Sequence, residues 1–173
     1  YKIVLTFFSP SGYKQGIKEN LADFIFYLPC DSSTNARKWL DYINPHMAIF
    51  VKYDFWFHYI NGLSKRNIPF IYISAIFRTD QFFFKWFGGA FLKELKKASR
   101  FFVQNNTSLN ILNNKGITQV EVSGDTRFDR VIQLPELEFT DEKIESFSVG
   151  ERIIVAGSTW PEDEEVLQKA FSA

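Results

Sequence analysis

The chain has 173 residues with 20 Lys+Arg against 20 Asp+Glu, and its 46% hydrophobic and 23% charged residues are the balance of a folded domain, which excludes a disordered chain. A chain of this length buries roughly 70% of its unfolded surface, ample for one core and the start of a second. The single Cys30 excludes an internal disulfide framework, and His46 and His58 stand at no metal-ligand spacing, so no structural zinc site is expected. No apolar run approaches the ~20 residues of a membrane span, and the first residues lack the layout of a signal peptide.

Short apolar runs, each followed by a polar helix-like stretch, recur along the chain. Strands are expected at Ile3–Phe8, Phe24–Leu28, Met47–Val51, Phe70–Ser74, Arg100–Gln104, Gln119–Ser123 and Arg152–Ala156. Helices are expected between them at Ser11–Glu19, Thr34–Ile43, Trp56–Arg66, Gln81–Ala98, Thr107–Asn114 and Glu162–Phe171. Alternation at this spacing predicts parallel βαβ units: an α/β fold with a Rossmann-like, doubly wound sheet. Runs such as Met47–Val51 are apolar without alternation, as in strands covered on both faces.

The neutral total conceals a division. Residues 1–133 carry 17 Lys+Arg and 10 Asp+Glu, whereas residues 134–173 carry 3 and 10. The rhythm breaks at 134–150, which holds Pro135, five acids and Gly150 and reads as a solvated linker with a helical turn near Asp141–Ser146. A domain boundary is therefore expected there, with a domain at 1–133, and a second beginning with a strand and helix at 151–173. The chain starts at Tyr1 and stops soon after that helix, as a piece of a longer protein would.

In open parallel sheets ligands sit outside the carboxyl ends of strands, so the residues after each strand are the candidates. Ser9-Pro10-Ser11-Gly12 follows the first; it reads as a helix cap, and its amides could alternatively face an anion. Lys52-Tyr53-Asp54-Phe55-Trp56 follows the third, and reads either as an exposed ion pair or as part of a site. After the sixth comes Gly124-Asp125-Thr126-Arg127-Phe128-Asp129, a Gly turn with Arg127 between two acids, open to the same two readings. Ala156-Gly157-Ser158-Thr159 leads from the seventh into an acidic helix. No G-x-G-x-x-G, P-loop or G-x-S-x-G occurs, so dinucleotide binding and a hydrolase triad are not expected. His58 reads as a helix-face residue, His46 as a loop residue and Cys30 as a packed or semi-exposed thiol.

The segment 81–100 is unusually aromatic. Read as one helix, it places Phe84, Phe87, Phe91, Leu95 and Ala98 on one core-facing stripe. Phe82, Phe83 and Trp86 then fall off the stripe, with Phe82 and Trp86 on the side of Lys93 and Lys97, the pattern of a helix in a lipid interface. The other reading is that Gly88-Gly89 breaks the helix and each half is buried separately. Nothing else in the chain supports nucleic-acid binding.

Taken in order, four motifs resemble those of the 3-deoxy-D-manno-octulosonic acid (Kdo) transferases. Thr6-Phe7-Phe8-Ser9-Pro10-Ser11-Gly12 resembles T-x-(T/S)-P-(T/S)-G, and Val51–Trp56 sits where the family has E-x-E-L-W. Gly124–Asp129 resembles G-N-x-K-F-D, and Ala156–Thr159 with Glu162–Glu165 resembles A-G-S-T followed by acids. Lys52 and Asp54 replace the two glutamates, Asp125 the asparagine, Arg127 the lysine and Trp160 a frequent histidine. Asp54 and Arg127 keep the sign of the charge; Lys52 reverses it and inherits no role.

The resemblance implies the N-terminal half of a GT-B glycosyltransferase, lacking its first strand-helix unit and carrying only the opening of the nucleotide-sugar domain. It implies inverting transfer of Kdo from CMP-Kdo to a lipid A precursor, without metal or other cofactor, in lipopolysaccharide biosynthesis. It further implies a peripheral or monotopic protein at the anionic cytoplasmic face of the bacterial inner membrane. Asp54 would contact the sugar, Arg127 would stabilise phosphate or transition-state charge, and Ser9, Ser11, Gly12, Gly124, Asp125 and Ser158 would line substrate. The general base would lie in a Gly-Glu segment that this chain does not carry, so the chain alone is expected to be inactive. With the first strand-helix unit missing, a gap is expected beside Ile3–Phe8, filled by Arg152–Ala156 or by a neighbouring chain. Two other functions fit the same residues: another GT-B nucleotide-sugar transferase or epimerase, or a non-catalytic membrane-surface module built on 81–100.

Overall fold

The computed structural model describes residues 1–133 and 153–171. The chain divides into two compact units, Tyr1–Val131 and Ile132–Ala173. The expected linker at 134–150 and its helical turn lie outside the described residues.

The first strands and helices alternate as β1 (Val4–Phe7), α1 (Pro10–Glu19), β2 (Phe24–Tyr27), α2 (Ser33–Ile43), β3 (Ala48–Val51) and α3 (Phe57–Lys65). They continue as β4 (Phe70–Ala75), a 3-10 turn at Phe82–Phe84, α4 (Gly89–Leu95), β5 (Arg100–Val103), α5 (Asn106–Asn114), β6 (Val120–Val122) and α6 (Thr126–Gln133). Every strand pair among the described residues is parallel. The chain is thus α/β and Rossmann-like. Local chemistry sets the helix ends: Ser9, Ser32 and Asn105 accept from the amides of Gly12, Asn35 and Ser108, while Asn20 and Asn44 close α1 and α2 in the left-handed region. Asp31 caps α3 from outside it, accepting from the His58 amide at 3.0 Å.

The described strands form two sheets, not one. β1 pairs with β2, and a second sheet runs β3-β4-β5-β6. Among the described residues β1 and β3 each keep one edge without a strand partner. Residues 153–157 carry no strand, and Ile153, Ile154 and Val155 are exposed. The helix that follows does form, as α7 (Pro161–Phe171), with Glu162, Asp163 and Glu164 in its first turn.

The core belongs to the four-stranded sheet. Phe70, Tyr72 and Ala75 of β4 and Phe101 and Val103 of β5 are buried against Ile60 and Leu63 of α3 and Leu95 of α4. Burying each large apolar side chain contributes about 1.5–3 kcal/mol. Much of the aromatic surplus is absorbed here, with Tyr72 stacked on Phe101 at 5.2 Å and Phe83 stacked on Phe91 at 5.2 Å. No apolar side chain before Ala36 is fully buried.

Segment 81–98 is not one helix. The 3-10 turn at Phe82–Phe84 is followed by Gly88, where a Cβ would lie 2.4 Å from both the Phe82 carbonyl oxygen and Phe83 Cα. The chain folds back on itself at that point, which ends the expected 3.6-residue stripe. Phe83 therefore belongs to the core, and Phe87, expected in the core, is exposed.

Candidate functional site

Four loops converge at the carboxyl ends of the second sheet. β4 shifts register against β5 between Tyr72 and Ala75, and Ser74, within that irregularity, takes a left-handed φ of 50°. Its buried hydroxyl lies 3.5 Å from Asp125 Oδ1 and accepts from the Thr126 amide at 3.4 Å and from Gln104 Nε2 at 3.3 Å. Gln104 Nε2 also donates to the Ser74 carbonyl at 2.9 Å. After β6, Gly124 turns the chain at φ 82° and Asp125 becomes the N-cap of α6, accepting from the Arg127 amide at 3.0 Å. No helix is expected from the sequence at 126–133, although Phe128, Val131 and Ile132 stand at helical i, i+3, i+4 spacing; the Asp125 cap starts it.

Asp125 is the centre of the site. Its side chain is 7% exposed, accepts from Arg127 Nε at 2.8 Å and again from Nη2, and lies 3.6 Å from Lys52 Nζ. Hydrogen bonds from the Arg127 side chain and backbone, then the charges of Lys52 and Arg127, hold its carboxyl well below the usual carboxylate range, against burial. Asp125 in turn raises Arg127. A carboxyl lowered on folding stabilises the fold above its unfolded value near 3.8 and loses that contribution as pH falls through its folded value. The destabilisation caused by Asp125→Asn is thus expected to be full at about pH 6 and to shrink by about pH 2.5. Urea midpoints of both proteins at the two pH values check this; a difference that does not change with pH counts against it.

Asp54 stands apart from this pair. Asp54 is an exposed residue, yet partial burial of its carboxyl raises it, opposed by a hydrogen bond from the Trp56 side chain. Lys52 pairs with Asp125 and not with Asp54, so the two-apart ion pair read from the sequence is not formed. Arg78 lies over the Tyr53 ring at 5.9 Å, with its Nη2 3.5 Å from the Tyr53 hydroxyl. On α3, burial and then the nearby Asp31 and Cys30 push the Tyr59 phenol up to about 12, and its hydroxyl donates to the Pro29 carbonyl at 2.8 Å. Cys30 is exposed.

Ser9, Ser11 and Gly12 lie on the other sheet's carboxyl end. Ser9 caps α1 with Ser11 Oγ 3.4 Å away, and Gly12 is needed for packing, because a Cβ there would meet the Phe7 ring at 2.7 Å. A ring contact of 5.1 Å between Phe8 and Trp56 links this end to α3. Ser158 is exposed in the second unit with a left-handed φ of 60°, beside the start of α7, where Thr159 Oγ1 donates to Glu164 at 3.0 Å and the Trp160 amide donates to Asp163 Oδ2 at 3.0 Å. Of the expected lipid-contact residues, Phe82, Trp86 and Lys93 are exposed, and Lys97 bonds Glu94 at 2.8 Å. Phe83 is 1% exposed.

Sequence reasoning missed Ser74 and Gln104, and gave Lys52 no part. The only signal for Ser74 is a hydroxyl inside an apolar strand; the register shift that turns it to use is not written locally. Among the described residues no group of His, Cys, Asp or Glu is arranged to hold a metal ion, and no helix is long and apolar enough to cross a membrane.

Residues 1–130 match the sequence model of a family described as 3-Deoxy-D-manno-octulosonic-acid transferase (kdotransferase). A 3-deoxy-D-manno-octulosonic acid transferase of Rickettsia felis is 29% identical over 143 residues, which are 82% of this chain and 30% of that protein. The transferase of that name from Haemophilus influenzae is 31% identical over 75 residues, 42% of this chain and 17% of its own length. That from Rickettsia conorii is 27% identical over 146 residues, again 82% of this chain and 30% of the relative. The chain thus spans less than a third of the length of these relatives. A match through three-quarters of the chain includes both the Ser9–Gly12 turn and the Asp125–Arg127 loop, and the chain belongs to the 3-deoxy-D-manno-octulosonic acid transferase family.

Proposed function

We propose that this chain is the acceptor-side domain of a GT-B glycosyltransferase that transfers Kdo from CMP-Kdo to a lipid A precursor at the cytoplasmic face of the bacterial inner membrane. The observation that carries the reading is the family match together with Arg127 held at the carboxyl edge of a parallel sheet. In the reaction the acceptor hydroxyl attacks the anomeric carbon of Kdo, the bond from that carbon to the phosphate oxygen of CMP breaks, and a carboxylate takes the hydroxyl proton. The general base is assigned to no residue of this chain. Arg127 offsets the charge gained by the departing phosphate, Asp54 bonds the sugar or the acceptor, and the Ser9–Gly12 turn borders the acceptor. Configuration inverts and no metal takes part. Gly124 and Asp125 shape the loop that presents Arg127, while Ser158 belongs to the donor side.

A lipid acceptor requires approach to a membrane. Trp86 is 95% exposed, with Phe82 and Phe87 beside it and Lys85 and Lys93 exposed nearby. Aromatic rings with flanking lysines favour an anionic interface. The same feature favours a second reading, a membrane-surface module without catalysis. Because turnover also needs the donor side, acceptor binding is the direct test. The chain is expected to sediment with phosphatidylcholine vesicles carrying a bisphosphorylated lipid A precursor, and Phe82→Ser with Trp86→Ser to reduce this severalfold while the protein stays folded. Equal binding to phosphatidylglycerol vesicles without the precursor favours the second reading; no sedimentation with either overturns both.

A further inference from the structure

We infer that Lys52 and Arg127, both held by the Asp125 carboxylate, form a two-cation site for a phosphate group, with Lys52 a direct ligand and Asp125 a positioning residue. The inference deepens the proposed function, which gives Lys52 no part. Lys52 follows β3 and Arg127 lies in the first turn of α6, far apart in sequence, yet both lean on one carboxylate that is 7% exposed. Two cations on one anion leave the cluster positive. Among the described residues no other carboxylate forms an ion pair with either cation. The Lys52 ammonium stands 3.6 Å from Asp125, longer than a good hydrogen bond, so its donors are not fully used. Arg127 is 73% exposed and spends Nε and Nη2 on Asp125, leaving Nη1 for a ligand. The free Nη1 beside an ammonium supplies donors from two cations to the oxygens of one phosphate.

The backbone supports the same assignment. Lys52 sits at φ 55° and Ser74 at φ 50°, two non-glycine residues in the left-handed region at the ends of neighbouring strands. Strained conformations of this kind gather at ligand sites. Asn or Gly would occupy position 52 with less strain, and a lysine there has a function beyond the turn. Ser74 and Gln104 fix the carboxylate from below through the hydroxyl shared with Asp125 and Thr126. The oxygens recognised are those of a phosphomonoester or phosphodiester, whether on a nucleotide or on a lipid headgroup.

Amide chemical-shift titrations of the 173-residue chain with inorganic phosphate and with CMP, and sedimentation with phosphatidylcholine vesicles containing phosphatidic acid, distinguish the sources. Lys52→Asn, which suits the left-handed backbone, is expected to weaken binding of whichever probe binds by about tenfold, the loss of one hydrogen bond to a charged group. Lys52→Arg is expected to restore it. Asp125→Asn is expected to weaken binding although it adds positive charge, because it releases both cations. Saturation by inorganic phosphate supports the site for either source, tighter Lys52-dependent binding of CMP than of phosphate assigns the nucleotide source, and Lys52-dependent binding to phosphatidic acid without binding of CMP assigns the lipid source. Binding that Lys52→Asn leaves unchanged, or no binding of any phosphate probe, overturns the site; tighter binding by Asp125→Asn overturns the positioning role. The acceptor reading falls separately, on the lipid A precursor vesicles.

Discussion

Replacing Phe83 by alanine is expected to cost about 3–5 kcal/mol of unfolding free energy, whereas Trp86→Ser changes it by less than about 0.5 kcal/mol. The two residues are three apart and would share a face of a continuous helix, yet they lie in opposite environments. Phe83 is 1% exposed and meets Phe55, Phe84 and Phe91 at ring separations of 5.0, 4.6 and 5.2 Å. Truncation leaves a cavity walled by aromatic rings, which relax little. Trp86 is 95% exposed, and its ring neighbour is the exposed Phe87, at 5.6 Å. Urea unfolding of both variants reads the contrast as a shifted midpoint at constant slope. Equal shifts would restore the single helix expected from the sequence and return Phe83 to the lipid-facing set.

Gly88→Ala is expected to destabilise by about 1–3 kcal/mol through overpacking alone. The backbone at Gly88 has an ordinary negative φ of -88°, so the requirement for glycine there is steric. An added Cβ would stand 2.4 Å from the Phe82 carbonyl oxygen, 2.4 Å from Phe83 Cα and 2.7 Å from the Phe83 carbonyl carbon, and none of these is the movable end of a side chain. Gly89, its neighbour in sequence, meets nothing within 4 Å and serves as the control. Thermal unfolding of Gly88→Ala and Gly89→Ala side by side measures the difference. Similar melting temperatures would show that the turn at 82–88 yields easily.

The extent to which the sequence revealed this molecule follows the range of the interactions involved. Strands such as Phe70–Ala75 and helices such as Ser33–Ile43 were legible because apolar runs, caps and Asn stops act within a few residues. The division into two sheets was not, because the partners of β1 and β3 are decided by pairing across the fold. At the site, Asp125 and Arg127 were legible as a turn after a strand, with a family motif to mark them. Lys52 was misread because proximity in sequence pointed to Asp54, two residues on, while its actual partner is 73 residues away in the chain. Segment 81–98 shows the same limit: helical periodicity is an argument about one element, and Gly88 ends the element before the period can be expressed.

The distribution of burial makes local stability uneven. With no fully buried apolar side chain before Ala36, the segment β1–α1–β2 is held to the remainder by few contacts, among them the Phe8–Trp56 rings. Such a segment opens at less free energy than global unfolding requires, while the four-stranded sheet stays intact. The Ser9–Gly12 turn is carried on this weaker unit and Asp125 on the stronger one. A ligand that touches the first turn therefore spends part of its affinity on closing that segment, whereas one confined to Lys52 and Arg127 meets an arrangement already held in place. In thermodynamic terms, occupancy of one turn and order of the first 28 residues are linked quantities, and occupancy of the other is not.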